Sequence, residues 1–186
     1  MSLCLNNAPA SEPVTLAEAK THLKLDTSDD DALITTLITA ARSRAEWYTG
    51  RAFISQGWTL WLDAWPRWGI VEIPLAPLIS VSRVTVYGID DSATVVDATS
   101  YRVDTASTPG RIALKNALSP PVVTLRVIDG VAIGFSAGYG DASAVPVQIK
   151  QAMLCIIADL YSHRGDDDGI VGTRAQSLLA PYRVFK

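Results

Sequence analysis

The sequence predicts an α+β fold in which helical segments flank a region of short strands. Near both ends of the chain, apolar residues recur every three or four positions, which is typical of amphipathic helices. Between these segments the apolar residues are mostly β-branched or aromatic, and they alternate with polar residues. Gly and Pro separate these runs, as they do where strands are joined by turns.

The first predicted helix spans residues 15–24. Thr15 and Glu18 have the spacing of a capping box, in which each side chain serves a backbone amide of the first turn. Residues 1–12 precede this signal and are expected to form a flexible N-terminus.

The second predicted helix spans residues 29–49. Asp29, Asp30 and Asp31 are interpreted as capping acids, because negative charge in the first turn complements the helix dipole. Gly50 suits the position just after a helix end. The apolar face of this helix comprises Leu33, Ile34, Leu37, Ile38, Ala41, Ala45 and Tyr48.

The β region is predicted over residues 52–137. The stretch WTLWLDAW alternates between two faces, and VSRVTVYGI, YRVD, RIAL and VVTLRVIDGVAIGFSAG continue the same usage. Several short strands with short connections indicate an antiparallel sheet or a small sandwich.

The third predicted helix spans residues 146–163, and Pro146 suits its first turn. Apolar residues cover about half of its surface, so it is expected to be buried in a core or between subunits. Residues 13–165 are therefore interpreted as one domain, and residues 166–186 as an extended C-terminal tail. The tail holds too many apolar residues for a solvated segment, so something is expected to cover them.

Composition excludes several classes of protein. The chain has 186 residues, of which 48% are hydrophobic and 19% charged, so it is expected to fold. Its formal net charge of −3 argues against a basic grip on nucleic acid. No apolar run is long enough to cross a membrane, and no signal peptide is expected. Cys4 and Cys155 are interpreted as two reduced thiols.

The sequence motifs that could indicate catalysis or ligand binding are weak. Gly138-Tyr139-Gly140 lacks the third glycine of a dinucleotide loop and is interpreted as a bend between a strand and a helix. Asp166–Asp168 lack the spacing of a calcium loop. His22 and His163 have no partners at zinc spacing, and there is no G-x-S-x-G elbow. We therefore expect no catalytic residues, no cofactor, no metal and no enzymatic activity.

Four tryptophans lie within eleven residues: Trp58, Trp61, Trp65 and Trp68. Trp58 and Trp61 fall on opposite faces of the predicted strand, so both faces need cover. Tryptophan is enriched at protein interfaces, and we interpret the cluster as a subunit or tail interface. A stacking platform for nucleic acid is the alternative, but only Arg67 lies close by.

The order of motifs resembles the head–tail connector (adaptor) proteins of tailed phages and gene transfer agents. It begins with PVTLAEAKTHLKLDTSDDDALITTLITAARSRAEWYTGRAF and continues with IPLAPLISVSRVTVYG, YRVD and PGRI. It ends with FSAGYG, VPVQIKQAMLCIIADLYSHRGD and LLAPYR. The resemblance covers residues 13–186. Each motif is weak by itself, whereas their joint order is specific.

The resemblance implies a helical core with an inserted β region. It also implies a ring of about twelve copies beneath the portal, extending the DNA channel and offering a surface for tail attachment. The implied partners are the portal protein, a tail-side stopper or terminator protein, other copies of the chain, and DNA that passes through without sequence-specific binding. The implied location is the head–tail joint of a virion or phage-like particle, assembled in the bacterial cytoplasm.

Residue roles follow from the same resemblance. The portal-binding residues are expected in the C-terminal segment, at Leu178, Leu179, Tyr182, Arg183 and Phe185. Candidates for lining the channel are Asp29, Asp30, Asp31 and Glu46, because an acidic lumen lets DNA slide whereas a basic one holds its phosphates. A DNA-packaging or DNA-binding accessory protein of the particle is the alternative function.

Overall fold

The computed structural model describes residues 1–115, 124–163 and 171–184. The chain is a mixed α+β protein, which confirms the predicted class, and it divides into two compact units. The β unit comprises Met1–Ala8 and Ser55–Gly138. The helical unit comprises Pro9–Ile54 and Tyr139–Lys186, so the β unit interrupts it in sequence.

The first three helices lie within two residues of their predicted bounds, and a fourth was not predicted. They are α1 (Leu16–Leu23), α2 (Asp31–Thr49), α3 (Val147–Ser162) and α4 (Thr173–Leu179), with a 3-10 turn over Ala180–Tyr182.

Helix α1 begins with the predicted capping box. The Thr15 hydroxyl accepts a hydrogen bond from the Glu18 amide at 3.2 Å, and the Glu18 carboxylate accepts one from the Thr15 amide at 2.7 Å. These bonds from the backbone and hydroxyl of Thr15 lower the pKa of Glu18. Helix α2 ends as predicted, at Gly50 in the left-handed conformation (φ 68°).

Helix α2 begins differently from the prediction. Asp30 occupies the N-cap position, but its side chain makes no capping hydrogen bond. It accepts a hydrogen bond from the Tyr161 hydroxyl of α3 instead, so the carboxylate takes part in a tertiary contact between two helices. The interpretation of this acid as a capping side chain is wrong for that reason.

One apolar core joins the helices of the helical unit. Helix α2 contributes residues from the predicted face, and α3 contributes Cys155 among others. The fully or almost fully buried members include Ile34, Ile38, Ala41, Ala45, Ile149, Met153, Ile156, Ile157, Val171, Ala175 and Leu179.

The predicted extended tail is wrong for residues 173–182, which are helical. Val171, Ala175 and Leu179 are spaced by four residues, so one side of α4 faces the core, and all three are buried. The segment is short and has no capping signal, which is why periodicity alone did not reveal it. The prediction for residues 166–170 lies outside the described residues.

The β unit contains two antiparallel sheets. The larger has the strand order β1-β2-β8-β4-β5, and the smaller has the order β3-β7-β6. The strands are β1 (Ser2–Asn7), β2 (Gln56–Leu62), β3 (Ile70–Glu72), β4 (Leu78–Tyr87), β5 (Ala93–Val95), β6 (Tyr101–Asp104), β7 (Arg111–Leu114) and β8 (Val131–Ala137).

Each sheet of the β unit buries its apolar residues mainly on one face, although Thr85 and Ala132 on the other face of the larger sheet are also buried. The larger sheet buries Leu60, Val84 and Ile133, and the smaller buries Val71 and Ile112. This alternation follows the pattern in the sequence, as expected for antiparallel sheets with one solvated face.

The expected flexible N-terminus is wrong for Ser2–Asn7, which form strand β1. Strand β1 pairs with β2 from Ser2 opposite Trp61 to Asn7 opposite Gly57, and Asn6 donates a side-chain hydrogen bond to Thr59 at 2.7 Å. The strand is largely exposed, so backbone pairing holds it and burial contributes little. A largely exposed edge strand leaves only a weak hydrophobic pattern in the sequence.

Candidate partner-binding surfaces

The C-terminal segment is fastened to the end of α2. The Arg51 guanidinium donates to the Tyr182 carbonyl oxygen at 2.5 Å, and the Val184 amide donates to the Thr49 carbonyl oxygen at 2.8 Å. The Arg183 guanidinium lies 4.8 Å from the centre of the Tyr48 ring, within the range of a cation–π contact. The segment is therefore part of the folded helical unit.

The residues expected to bind the portal differ in their exposure. Leu179 is fully buried in the helical core, and Leu178 and Tyr182 are half-buried. The Tyr182 hydroxyl donates to the Gln148 side chain at 3.0 Å, while Arg183 is exposed. Phe185 lies outside the described residues.

The exposed charge of this segment is positive. Arg174 and Arg183 are exposed, and residues 171–184 contain no acid. The whole chain has a net negative charge, so the positive charge of this segment is a local excess. Such an excess suits a partner that offers carboxylates.

Three of the four residues expected to line a channel have partners inside the protein. Asp29 is exposed. Asp30 accepts the Tyr161 hydroxyl, and Asp31 forms an ion pair with Lys20 at 2.6 Å. Of these four residues, only Asp29 is exposed, which is the position that a channel-lining role requires.

Glu46 belongs to an ion-pair network centred on Arg42. The guanidinium contacts Glu12 at 2.7 Å and Glu46 at 2.8 Å, and Glu46 also accepts the Phe53 amide at 2.7 Å. Burial by itself would lower the pKa of Arg42, but the two carboxylates raise it overall. The network ties the segment before α1 and the segment after α2 to α2 itself, which is a structural role.

The four clustered tryptophans lie in the β unit and are not equivalent. Trp68 is 77% exposed, whereas Trp58, Trp61 and Trp65 are half-buried. The indole nitrogens of Trp58 and Trp65 are buried and have no hydrogen-bond partner in the part of the chain that the structure describes. Trp47, in α2 of the helical unit, is 84% exposed.

Trp61 borders a shallow groove of about 360 Å³ on the solvated face of the larger sheet. The Trp61 and Tyr87 rings lie 5.7 Å apart, and Gly134 forms part of the floor. A Cβ added at Gly134 would lie 2.8 Å from the Ser82 hydroxyl, so the Ser82 side chain packs closely against this glycine. Arg83 also borders this groove.

The bend between β8 and α3 matches its structural interpretation. Gly138 and Gly140 have φ values of 136° and 125°, which L side chains rarely adopt. Asp141 then accepts the Ser143 amide at 2.9 Å and the Ser143 hydroxyl at 2.5 Å, which forms a turn and lowers the pKa of Asp141.

No metal or membrane feature was found in the described ranges. Among residues 1–115, 124–163 and 171–184, no group of three His, Cys, Asp or Glu residues could hold a metal ion. His22 and His163 are both exposed, and Asp166–Asp168 lie outside the described residues. None of the helices that were described has the length and apolar character needed to cross a bilayer.

Sequence reasoning missed one surface, an apolar pair in a turn of the β unit. Val127 is 86% exposed and Ile128 is 69% exposed, although both resemble strand residues in the sequence. The sequence does contain a signal, because Val127 and Ile128 lie between Arg126 and the turn-forming pair Asp129-Gly130. Apolar residues within a turn, unlike those of a strand, need not face a core.

Comparison with known proteins identifies the class. The sequence model of the phage gp6-like head-tail connector protein family matches residues 13–95. No curated protein matches the chain.

Solved structures match over the whole length. A chain in the neck of an empty gene transfer agent particle, computed with C6 symmetry, is 30% identical with a TM-score of 0.85. A chain in the neck of a native particle, computed with C12 symmetry, is 30% identical with a TM-score of 0.80. A chain in the virion of a native particle is 29% identical with a TM-score of 0.83. Each match covers 100% of this chain and 97% of the other.

The chain therefore belongs to the phage gp6-like head–tail connector family.

Proposed function

We propose that this protein is a structural connector at the neck of a phage-like particle, where it joins the head to the tail without catalysis. The similarity that carries this proposal is the full-length match, at 30% identity, to a chain of a gene transfer agent neck. The helical unit would form the core of each connector subunit, with the β unit inserted in it.

We propose that copies of the chain form a closed ring of about twelve, as the C12 symmetry of a related neck suggests. A cyclic ring needs two different complementary patches on every subunit. The clustered tryptophans supply one candidate patch, because Trp68 is exposed and Trp58, Trp61 and Trp65 are half-buried.

Portal docking is proposed for the C-terminal segment. Arg174 and Arg183 offer exposed positive charge, and Leu178 and Tyr182 offer partly exposed apolar surface beside it. Leu179 supports the segment from the core and would not touch the portal unless the segment rearranged. This assignment predicts an acidic, partly apolar site on the portal.

DNA would pass through the ring without specific binding. The net charge of −3 per subunit makes a ring strongly negative, which disfavours retention of a polyanion. Asp29 is the best candidate for the lumen, while Asp30, Asp31 and Glu46 serve internal contacts first. A DNA-binding accessory role is less favoured, and retention on duplex DNA at physiological salt would support it.

The portal contact can be tested by the mass of the full-length protein, alone and mixed with portal, using light scattering on a gel-filtration column. The wild type should co-elute with the portal. The Arg174→Glu/Arg183→Glu variant should co-elute at least tenfold more weakly, because it places repulsive charge against an acidic site.

The matched control is Arg67→Glu/Arg102→Glu, which reverses two exposed arginines of the β unit and should bind the portal normally. Equal binding by both double variants would refute the assignment of the C-terminal segment. A wild-type protein that ignores the portal would refute portal docking altogether.

A further inference from the structure

Two hydrogen-bonded loops of the β unit expose three aliphatic side chains, which we call the tip: Ile89, Val127 and Ile128. Their exposures are 73%, 86% and 69%. Val127 and Ile128 are adjacent in one loop. Ile89 lies in the neighbouring β4–β5 loop, where its amide donates to the Thr124 carbonyl oxygen at 2.9 Å. Single exposed aliphatic residues are ordinary, whereas three on two paired loops form a patch.

The Arg126 side chain makes several contacts at the loop that carries Val127 and Ile128. Its Nε donates to the Asp129 carbonyl oxygen at 3.1 Å, and its Nη1 contacts the Asp91 carboxylate at 3.2 Å. The guanidinium also lies over the Tyr87 ring, 4.4 Å from the ring centre. One side chain therefore joins both loops to strand β4.

The backbone of the loop is fixed as well. The Arg126 amide donates to the Tyr87 carbonyl oxygen at 3.1 Å, and the Asp129 amide donates to the Asp63 carboxylate at 3.1 Å. A Cβ added at Gly130 would lie 2.6 Å from the Asp63 carbonyl oxygen, so the chain is closely packed where the loop ends. A loop held in this way loses little conformational entropy when it binds.

The surroundings of the tip are acidic. The two loops carry Asp90, Asp91 and Asp129 against the single cation Arg126. Asp90 accepts hydrogen bonds from the amide and hydroxyl of Ser92, which orient its carboxylate and lower the pKa of Asp90. An apolar centre with an acidic margin is complementary to an apolar pocket with Lys or Arg at its rim.

We propose that the tip is the docking element for the tail-side protein of the particle, inserting Val127 and Ile128 into an apolar pocket with a basic rim. This inference rests on the proposed connector function, which requires a second partner besides the portal. The basic C-terminal segment of the helical unit suits an acidic partner. The acidic, apolar tip of the β unit suits a basic partner.

The test is joining of heads and tails in vitro. Heads and tails are collected from a host that lacks this gene, purified full-length protein is added, and joined particles are counted by electron microscopy. The Val127→Ser/Ile128→Ser variant should need at least tenfold more protein for half-maximal joining. The complex that this variant forms with the portal should have the same mass as the wild-type complex.

Two further variants separate the tip from general effects. Val95→Ser removes an aliphatic side chain that is 60% exposed on β5 and should join heads and tails normally. Arg126→Gln keeps the apolar tip but removes the ion pair and the ring contact, so it should give an intermediate loss of joining.

Normal joining by the Val127→Ser/Ile128→Ser variant would overturn the proposal, and so would loss of its portal binding with tail attachment intact. If the wild type itself fails to restore joining, the connector function is refuted, and the proposal falls with it.

Discussion

Replacing Leu179 with alanine should destabilise the helical unit substantially. Leu179 is fully buried and belongs to the same core as the buried residues of α2 and α3. Truncating a buried leucine to alanine costs about 2–5 kcal/mol, because transfer free energy is lost and a cavity is left. Since domains have a total stability of about 5–15 kcal/mol, this loss would be a large part of the whole.

The assay is urea unfolding followed by circular dichroism at 222 nm, which reports the helices. Tryptophan fluorescence provides a second probe, because four of the five tryptophans lie in the β unit and only Trp47 lies in the helical unit. Leu179→Ala should shift the helical transition to lower urea. Any separate transition of the β unit should stay where it is.

The neighbouring Leu178 is the matched control. It is half-buried, so Leu178→Ala should cost about 1 kcal/mol, in proportion to the smaller apolar area removed from contact. If Leu179→Ala changes the free energy of unfolding by less than about 0.5 kcal/mol, α4 is not part of the core. The C-terminal segment would then be the independent tail that the sequence suggested.

Two smaller perturbations test local features of the two units. Thr15→Ala should cost about 1 kcal/mol by urea unfolding, because it removes one half of the capping box. The ionised Glu18 carboxylate contributes to the stability of the fold above its unfolded pKa of about 4.3, and this contribution is lost as the pH falls through the lowered folded pKa. The cost of Thr15→Ala should therefore shrink in acid. A constant cost from pH 7 to pH 3 would contradict this reasoning. Gly110→Ala should cost about 1–3 kcal/mol, because the new Cβ would lie 2.5 Å from the Leu78 side chain. Gly172→Ala is its control and should be nearly neutral, since its Cβ would meet only the movable Asp159 carboxylate, and equal costs at the two glycines would rule out the steric explanation.

The helices and strands were largely predictable because their signals are local. The capping box at Thr15, the apolar face of α2 and the glycine stop at Gly50 all depend on residues close in sequence. The errors have one cause in common. Strand β1 depends on pairing with β2, which is about fifty residues away, and α4 depends on the core that α2 and α3 provide.

The candidate site was harder to predict than the fold. The family resemblance pointed to the connector class, which the comparisons confirm. The roles of individual residues stay predictions, because a partner surface is defined by exposure and charge after folding. Asp30 and Glu46 look like free surface acids in the sequence, yet both accept hydrogen bonds from distant parts of the chain.

By itself the sequence determined the α+β class, the first three helices and the membership of the connector family. These rest on local periodicity and on the order of motifs along the chain. Only the tertiary structure decided that Leu179 is core, that Arg183 is surface and that Val127 and Ile128 project from a fixed loop. Burial is a property of all the neighbours together, and those neighbours come from segments far apart in sequence.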